Sequence, residues 1–555
     1  MIMPRRTEEK PTYDYNIYKI AVERVDDFKD FLKERQFEEI PLKTELIRNP
    51  GGFSFALMFC DKDNRKGSPW VTLLSACSEY DLTQDLKIYG AALICKSTRS
   101  CYVVSYGNAH FYLSNYCDYN FGIMIAERLI NLDSVKAQQN VSHGGKLSKT
   151  HIDYLNGSTL SYKGGEIPTY IKGQSINEDY WGKSINCGTS AQFKWEEKPL
   201  EIGRKLYSID KVLEVQSKVK LPQLMPLHDE NDSDKIDSLF EKLSESIEKY
   251  DINTCNTEMV NVPSFYMVGT KLVQNDSVRF KLSCNHKHSR YDGELSLTAI
   301  KHFINEKELN IHTDIKNIKL SVEYGNDRWT NYKPLIEYLE FVTEDNFCLR
   351  SGKWCTFNNA YLEQVMRDVE KVKFENHIDE SWNFSRSELI RFAKETGIYV
   401  ESDHQPYETY YNAKLAKQLC GNIIHPETVP VDESGNKKYK YEVGDVVCRG
   451  AMYFVKIGQS SDFAYAVDQA SLTLSKIQNG HGKVMLPDKT EFEPNEFHIV
   501  LVCENRKRKI TAWRDIGSIN FLIHISELKQ NLNIMNISLI VDFVYDNKIL
   551  MKINN

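Results

Sequence analysis

The chain has 555 residues, which exceeds the size that one hydrophobic core supports, so we expect roughly two to four domains. Apolar residues make up 41% and charged residues 26%, and 31 Tyr and 25 Phe supply core material, which excludes a globally disordered chain. The formal net charge of -7 excludes an overall basic protein, so any contact with nucleic acid has to come from local basic patches.

The first residues and the cysteines indicate a cytoplasmic protein. Residues 1–10 are rich in charge and lack the apolar segment of a signal peptide. The longest apolar runs, residues 53–60 and 537–545, are too short to cross a bilayer, so we expect no membrane association. The cysteines are odd in number, follow no pairing pattern and are typical of reduced thiols.

Residues 1–215 are predicted to form an N-terminal α+β domain with a Gly/Lys-rich loop. Strand-like runs at 91–96 and 101–105 precede a helical pattern at 120–132. Between residues 141 and 174 glycines cluster with lysines, and such loops bring backbone N–H groups and ammonium groups onto phosphates. A long solvated loop is the alternative, and it is favoured because no Walker spacing is present. The candidate phosphate-binding lysines are Lys146, Lys149, Lys163 and Lys172.

Residues 216–336 are predicted to form a mainly helical middle region, which begins after a linker with prolines and the acidic residues 229–232. A helix is predicted over 235–250, because apolar side chains recur there at helical spacing. In a strand, Cys284, His286 and His288 would share one face, which is compatible with a partial metal site. A surface strand is the favoured alternative, because no second pair of ligands lies at a suitable distance.

Residues 337–555 are predicted to form an α/β domain with the element order αβββαβαβ. Three β-runs at residues 423–431, 439–448 and 452–458 are expected to form one sheet with an apolar strand at 497–503. The order predicts a three-layer, restriction-endonuclease-like αβββαβ domain within a multidomain α+β and α/β protein. The remaining predicted elements are helices at 407–419, 461–478 and 519–532 and a buried strand at 537–545.

Acidic residues and a lysine at specific positions on these predicted elements indicate a metal-dependent nuclease site. Nucleases of this type hold a divalent cation, here Mg²⁺ or Mn²⁺, between carboxylates on a bent hairpin, and a nearby lysine orients the attacking water. The predicted catalytic residues are Asp445, Lys456, Glu442, Glu408 and Gln469, and the predicted metal ligands are Asp445, Glu442 and the carbonyl of Val455.

The hairpin departs from the usual Glu-x-Lys pattern, because Phe454 occupies the acidic position. Glu442 would therefore have to supply the missing carboxylate. Glu442 and Asp445 are three residues apart, and they share one face of a strand only if a bulge occurs around Gly444. Acids and lysines at strand ends are also common in proteins without activity, so a domain with no metal site is the alternative.

A second basic feature follows the apolar strand at 497–503. Loops at the carboxyl ends of strands are where α/β sheets bind ligands, which favours nucleic-acid binding at this position. A solvated turn is the alternative. The basic run consists of Arg506, Lys507, Arg508 and Lys509.

Short stretches along most of the chain carry a resemblance to a known family. They are residues 105–107, 118–122, 352–354, 411–412, 415–416, 442–445, 454–456 and 460–461, together with Gln469. The sequence resembles the sporadically distributed bacterial family called domain of unknown function 6119. Members usually have Cys and His where this chain has Gly444 and Phe454. The resemblance implies a role in defence, since such families occur near mobile elements and restriction systems.

Two functions follow as hypotheses. The first is a metal-dependent nuclease, or a nuclease-derived effector, that acts on foreign DNA in preference to RNA. The second is a non-catalytic nucleic-acid-binding, scaffold or sensor subunit of a defence complex. The presence of Asp445 with Lys456 favours the first, and the loss of the acid at position 454 favours the second. A homo-oligomer or a partner defence protein is compatible with both.

Overall fold

The computed structural model shows a mixed α/β protein with several sheets and with helices packed on them. It describes residues 11–48, 51–63, 87–113, 115–142, 148–227, 232–249, 265–268, 271–274, 279–292, 295–323, 329, 332–343, 347–350, 352–374, 382–401, 406–424, 427–430, 438–441, 443–458, 460–480, 482–486, 488–503, 510–516 and 519–545. Among the described helices, none combines the length and the hydropathy that a membrane crossing needs.

The N-terminal region forms a ten-stranded sheet whose described neighbours are all antiparallel, with the order β2-β3-β4-β5-β1-β10-β9-β8-β6-β7. Its strands are β1 (Tyr13–Ile20), β2 (Glu38–Ile40), β3 (Ser54–Asp63), β4 (Lys87–Lys96), β5 (Cys101–Gly107), β6 (Ile130–Ser142), β7 (Ser148–Ser158), β8 (Glu166–Ser175), β9 (Ser184–Cys187) and β10 (Ala191–Trp195). The helices of this region are α1 (Val25–Glu34), α2 (Phe121–Leu129), α3 (Glu178–Trp181) and α4 (Gly203–Glu214).

Helices cover both faces of this sheet because its strands are apolar on both sides. Along β1, Tyr15 and Ile17 point into a core shared with α2 and α4. Tyr18 and Ile20 point into a second core shared with α1. This matches the alternation of side chains along a strand.

The prediction of a long Gly/Lys-rich loop between residues 141 and 174 is wrong where the structure describes that stretch. Strands β7 and β8 cover most of it, and both pair with β6. Apolar residues such as Ile167 and Ile171 are buried between the polar ones, so β8 fits a sheet despite its lysines and glycines. Gly165 has a φ of 85° and makes the turn before β8, a conformation that glycine adopts without strain.

The middle region, expected to be mainly helical, contains both helices and sheets. Strands β14 to β17 form a four-stranded sheet with the order β15-β14-β16-β17, and the predicted helix is present as Ser233–Lys249. The strands are β11 (Leu224–Pro226), β12 (Phe265–Val268), β13 (Lys271–Gln274), β14 (Arg279–Cys284), β15 (Lys287–Asp292), β16 (Lys319–Val322) and β17 (Lys333–Pro334). The helices are α5 (Ser233–Lys249), α6 (Leu297–Glu306) and α7 (Ile311–Asp314).

The Cys/His segment of the middle region is a hairpin turn and not one strand. Asn285 and His286 have positive φ angles of 48° and 66°, and they join β14 to β15. Because the chain reverses there, Cys284, His286 and His288 do not share one strand face. Cys284 is buried, whereas His288 is exposed on β15. The turn therefore removes the geometric basis for the partial metal site.

A small four-stranded sheet joins the start of the middle region to strands at the start of the C-terminal region. Its order is β11-β20-β19-β18, so the linker strand β11 pairs with a strand about 130 residues later, as an antiparallel neighbour. The later strands are β18 (Phe341–Val342), β19 (Phe347–Arg350) and β20 (Lys353–Phe357).

The C-terminal region is built on a five-stranded sheet with the order β21-β24-β25-β28-β29. Strands β24 and β25 form an antiparallel hairpin, and β28 and β29 continue the sheet in parallel with β25. The strands are β21 (Asn422–Ile423), β22 (Glu427–Pro430), β23 (Lys438–Tyr441), β24 (Val446–Cys448), β25 (Ala451–Gly458), β26 (Val484–Met485), β27 (Glu491–Phe492), β28 (Glu496–Cys503) and β29 (Ser538–Tyr545). The helices are α8 (Asn359–Val369), α9 (Arg386–Thr396), α10 (Tyr407–Leu419), α11 (Ser460–Asn479) and α12 (Ile519–Ile534).

Helices cover both faces of this sheet and make three layers. Phe454 and Ile499 point to a core with α8, α11 and α12, while their neighbours Val455 and Val500 point to a core with α9 and α10. The first of these cores also contains Ile167 from β8, so the C-terminal layers are packed against the N-terminal sheet.

The three β-runs between residues 423 and 458 do not all join one sheet, which corrects the prediction. Strands β22 and β23 form a separate two-stranded sheet, so only part of the run expected at 439–448 reaches the main sheet. Pro430 ends β22, and a residue without an N–H group is unsuited to a central strand. The hairpin of β24 with β25 and the strand β28 do lie in the same sheet.

Candidate functional site

A polar cluster lies between α10 and the hairpin of β24 and β25. Asp445, the residue before β24, is 8% exposed, and both of its carboxylate oxygens accept hydrogen bonds. Oδ1 accepts from Nδ2 of Asn412 on α10 at 2.8 Å. Oδ2 accepts from the backbone N–H of Val455 on β25, also at 2.8 Å. The carboxylate therefore joins a helix to a strand.

The backbone of Asp445 is also held on two sides. Its N–H donates to the carbonyl of Tyr453 at 2.9 Å, and its carbonyl accepts from the N–H of Ile424 at 2.8 Å. Tyr453 is also the register partner of Val446, the first residue of β24. The bulge around Gly444 was predicted so that Glu442 and Asp445 could share a face. Glu442 lies outside the described residues, so the bulge stays a prediction.

Glu408 and Lys456 form an ion pair beside this cluster. Glu408 lies on α10 one helical turn before Asn412, so both side chains project from the same face of the helix. Oε2 of Glu408 is 3.2 Å from Nζ of Lys456 and accepts a 3.4 Å hydrogen bond from the N–H of Ile457. The structure thus places Glu408, Asp445, Val455 and Lys456 along one stretch of β25, and their catalytic role stays a prediction.

The other two predicted catalytic residues are Gln469 and Glu442. Gln469 is buried on α11, one turn before Thr473. The hydroxyl of Thr473 donates to the carbonyl of Val443 at 2.5 Å, so this face of α11 is packed on the segment that leads to Asp445. Glu442 lies outside the described residues.

The described side chains do not form a ligand set for Mg²⁺ or Mn²⁺. Within the part of the chain that the structure describes, no three His, Cys, Asp or Glu side chains are grouped to hold a metal ion. Hydrogen bonds from Asn412 and Val455 engage the oxygens of Asp445, and Glu408 is paired with Lys456. A hard cation of this kind needs several oxygen ligands around one point, which these groups do not provide.

The lysines predicted to bind phosphate are dispersed. Lys149 lies on β7 and pairs with Glu340 at 3.5 Å, and both side chains are largely buried. Lys163 is exposed in the turn before β8, and Lys172 lies on β8 itself. Lys146, like the run from Arg506 to Lys509, lies outside the described residues.

Carboxylates accept hydrogen bonds from the backbone of the glycine turn. The N–H of Gly164 donates to Oδ2 of Asp368 on α8 at 2.7 Å, and the N–H of Lys163 donates to Glu166 at 2.9 Å. A Cβ at Gly164 would lie 2.4 Å from Asp368. The glycine therefore permits close packing of the turn on α8, which accounts for the residue without a phosphate ligand.

Sequence reasoning missed a buried histidine between two acids. Nδ1 of His498 on β28 is 2.8 Å from Oδ2 of Asp542 on β29, and its Nε2 is 3.2 Å from Oε2 of Glu496. The ring of Tyr453 stacks on the imidazole, with 4.4 Å between the ring centres. Burial lowers the pKa of His498, but the hydrogen bonds and charges of the two carboxylates outweigh it and raise the pKa above its ordinary value.

Two sequence signals could have found this group. Glu496 and His498 are two residues apart on a strand, so they share a face. Asp542 is an acid within the otherwise apolar strand β29, and a fully buried acid requires a partner.

A family model described as a family of unknown function, DUF6119, matches residues 15–479, which is more than half of the chain and confirms the family resemblance. No curated protein and no solved structure matches the chain.

Proposed function

We propose that this chain, which belongs to the family of unknown function DUF6119, binds nucleic acid as a non-catalytic component of defence against foreign nucleic acid. Binding would involve the C-terminal α/β domain, whose helix, hairpin, helix and parallel strand follow each other as in restriction-endonuclease-like domains. The family match alone specifies no activity.

The carboxyl edge of the parallel strands supports the binding part of the proposal. Gly458, Cys503 and Tyr545, which end β25, β28 and β29, are in register with each other. Lys456 lies two residues before this edge, and in the sequence the basic run Arg506 to Lys509 begins three residues after Cys503. Ligands of α/β sheets bind at such edges, and clustered cations there suit phosphates.

One observation supports the proposal that the protein is non-catalytic. Each oxygen of Asp445 accepts a hydrogen bond from the protein, at 2.8 Å in both cases. A carboxylate that ties Asn412 to Val455 supports the hairpin, and a cation would have to compete with those two donors. Phe454 at the usual acidic position supports the same conclusion, since it is buried in the core.

Fluorescence anisotropy with labelled duplex DNA, single-stranded DNA and RNA tests this proposal. The full-length protein is titrated in EDTA at several salt concentrations, and the same samples are run on denaturing gels. We expect binding that weakens with salt and nucleic acid that stays intact. Absence of binding to all three probes at low salt would rule the proposal out.

A metal-dependent nuclease is the second candidate function. The observation in its favour is that Glu408 and Asp445 lie along β25 beside Lys456, as expected for such a site. Cleavage of the same probes in Mg²⁺ or Mn²⁺, abolished by EDTA and by Asp445→Asn, would select this candidate over the first.

A further inference from the structure

A pocket whose lining contains no residue of the Asp445 cluster lies between the N-terminal sheet and the small sheet β11-β20-β19-β18. It has a volume of about 70 Å³ and is partly open to solvent. Strands β7 and β8 and the start of α2 line one side, and β11, β19 and β20 line the other. Two stretches that carried the family resemblance, residues 118–122 and 352–354, meet here, with Nζ of Lys353 4.8 Å from the ring centre of Tyr119.

The pocket lining carries more positive than negative charge. Lys149, Arg350 and Lys353 line it, and they come from three different strands. Glu340 is the acid in the lining, and its Oε1 is 3.5 Å from Nζ of Lys149. Beside the pocket, the carboxylates of Asp118 and Glu337 also attract the ammonium group of Lys353. The excess of cations in the lining favours an anionic ligand.

Burial makes this arrangement costly in the absence of an anion. The side chains of Lys149 and Glu340 are 16% and 10% exposed. Burial lowers the pKa of Lys149 despite the attraction of Glu340, and Arg350 lowers it further. Burial also lowers the pKa of Lys353. A bound anion would offset the repulsion between these cations.

The N-terminal end of helix α2 adds a partial positive charge at the pocket. Asn120 is the residue before α2, and it lines the pocket together with Ile123 from the first turn. The N-terminal end of a helix carries a partial positive charge, because its first N–H groups have no partners within the helix. Cations and dipole therefore favour the same kind of ligand.

Glu340 limits which anion fits. Its Oε2 is buried and has no hydrogen-bond partner among the described residues. A carboxylate oxygen can only accept, so the ligand has to offer a donor as well as negative charge. Monohydrogen phosphate and phosphate monoesters in their protonated form have an O–H group, whereas sulfate has none.

We propose that this pocket binds a phosphate group, with Lys149, Arg350 and Lys353 around its charged oxygens and Glu340 as the acceptor of its O–H. The small volume suits the phosphate itself, so any organic part of the ligand would project through the opening. Inorganic phosphate and a nucleoside monophosphate share this chemistry.

Isothermal titration calorimetry on the full-length protein tests the site, with inorganic phosphate, sulfate and AMP at equal ionic strength. We expect phosphate to bind and sulfate to bind at least about tenfold more weakly, since an unpaired buried acceptor discriminates by hydrogen bonding. AMP binding more tightly than phosphate identifies a phosphate monoester as the ligand, and equal affinity identifies free phosphate.

Two variants of the pocket and one control variant complete the test. Lys353→Met should weaken phosphate binding by about tenfold or more. Glu340→Gln should remove the preference for phosphate over sulfate, and it serves even if Lys353→Met fails to fold. Lys194→Met makes the same chemical change at an exposed lysine on β10 that does not line the pocket, and it should leave binding unchanged. No binding of phosphate or AMP to the wild-type protein, or equal binding of phosphate and sulfate, would overturn the proposal.

Discussion

Asn412 and Asp445 are 33 positions apart in the sequence and share a buried 2.8 Å hydrogen bond from Nδ2 to Oδ1. The bond fixes helix α10 to the segment that begins β24. The second oxygen of Asp445 accepts from Val455, so one carboxylate connects three parts of the C-terminal domain. The Asp445 carboxylate therefore stabilises the hairpin of β24 and β25.

Removal of this carboxylate should therefore destabilise the protein. Asp445→Ala leaves the amide of Asn412 and the N–H of Val455 without their acceptor, which costs about 1–3 kcal/mol in the free energy of unfolding. Asn412→Ala should cost less, and the double variant should cost less than the sum, because the two residues act in one network. Urea denaturation monitored by circular dichroism measures all three values.

The matched control is Asp153→Ala, which removes an acid whose side chain is 77% exposed on β7. It should change the unfolding free energy by less than about 0.5 kcal/mol. If Asp445→Ala were as stable as this control, the carboxylate would have no structural role, and a catalytic role would gain support.

The C-terminal elements could be predicted closely because their signals are local. Helix α10 matches the predicted bounds of 407–419, since Cys420 adopts the left-handed conformation that ends a helix just before Gly421. The largely apolar run at 497–503 predicted a strand, and the structure confirms it as β28, which lies between two parallel neighbours. These features depend on a few adjacent residues.

What the sequence did not predict depends on contacts between distant segments. The residues around Asn412 do not indicate that its side-chain amide contacts Asp445, because this contact forms only when α10 packs on the sheet. Likewise, β8 reads as a loop from its lysines and glycines, and only its pairing with β6 and β9 makes it a strand. The pocket at Lys353 also requires β11 and β20 to meet.

The ion pair between Glu408 and Lys456 should affect binding more than stability. With side chains 37% and 26% exposed, the pair should contribute no more than about 1 kcal/mol to folding. Lys456→Ala removes a cation at the carboxyl edge and should weaken nucleic-acid binding severalfold. Glu408→Gln removes a negative charge beside the ammonium group and should strengthen binding, as measured by anisotropy.

The neighbouring helix α9 offers a matched control. Glu395 pairs with Arg391 at 3.9 Å with both side chains exposed, so Glu395→Gln makes the same charge change away from the edge. We expect it to leave affinity unchanged. Equal effects of Glu408→Gln and Glu395→Gln would mean that only net charge matters and that Lys456 has no place in the interface.

The basic run from Arg506 to Lys509 should set the salt dependence of binding. Each phosphate contact contributes roughly 0.9 to the slope of log affinity against log salt for duplex DNA. Replacement of all four residues by alanine should therefore reduce the slope by up to about 4 units and lower the affinity at low salt.

The control removes the same charge at four exposed lysines of the first two regions. Anisotropy titrations on both quadruple variants, at five or so salt concentrations, separate local contacts from net charge. If the two variants gave the same slope, the run would be a solvated turn. The control lysines are Lys33, Lys211, Lys249 and Lys316.

The buried His498 should make stability depend on pH. Its pKa is raised in the folded protein, so its stabilising effect is fully present below the unfolded pKa near 6.5 and is lost as the pH rises through the folded pKa. Subtraction of the urea midpoints of His498→Gln from those of the wild type isolates this group, because His524 also has a raised pKa and contributes equally to both proteins. A difference that is constant from pH 5.5 to 8.5 would contradict the assignment.

Divalent cations should leave nucleic-acid binding and integrity unchanged. The oxygens of Asp445 are engaged by Asn412 and Val455, so Mg²⁺ or Mn²⁺ would have to displace two hydrogen bonds in a site that is 8% exposed. We expect equal affinity in EDTA and in millimolar Mg²⁺ and no cleavage of DNA or RNA in Mg²⁺ or Mn²⁺ on denaturing gels. Cleavage that is retained in Asp153→Asn but lost in Asp445→Asn would assign the activity to this site. Such a result would replace the binding function by that of a nuclease, in which Asp445 exchanges its protein donors for a cation when substrate is bound.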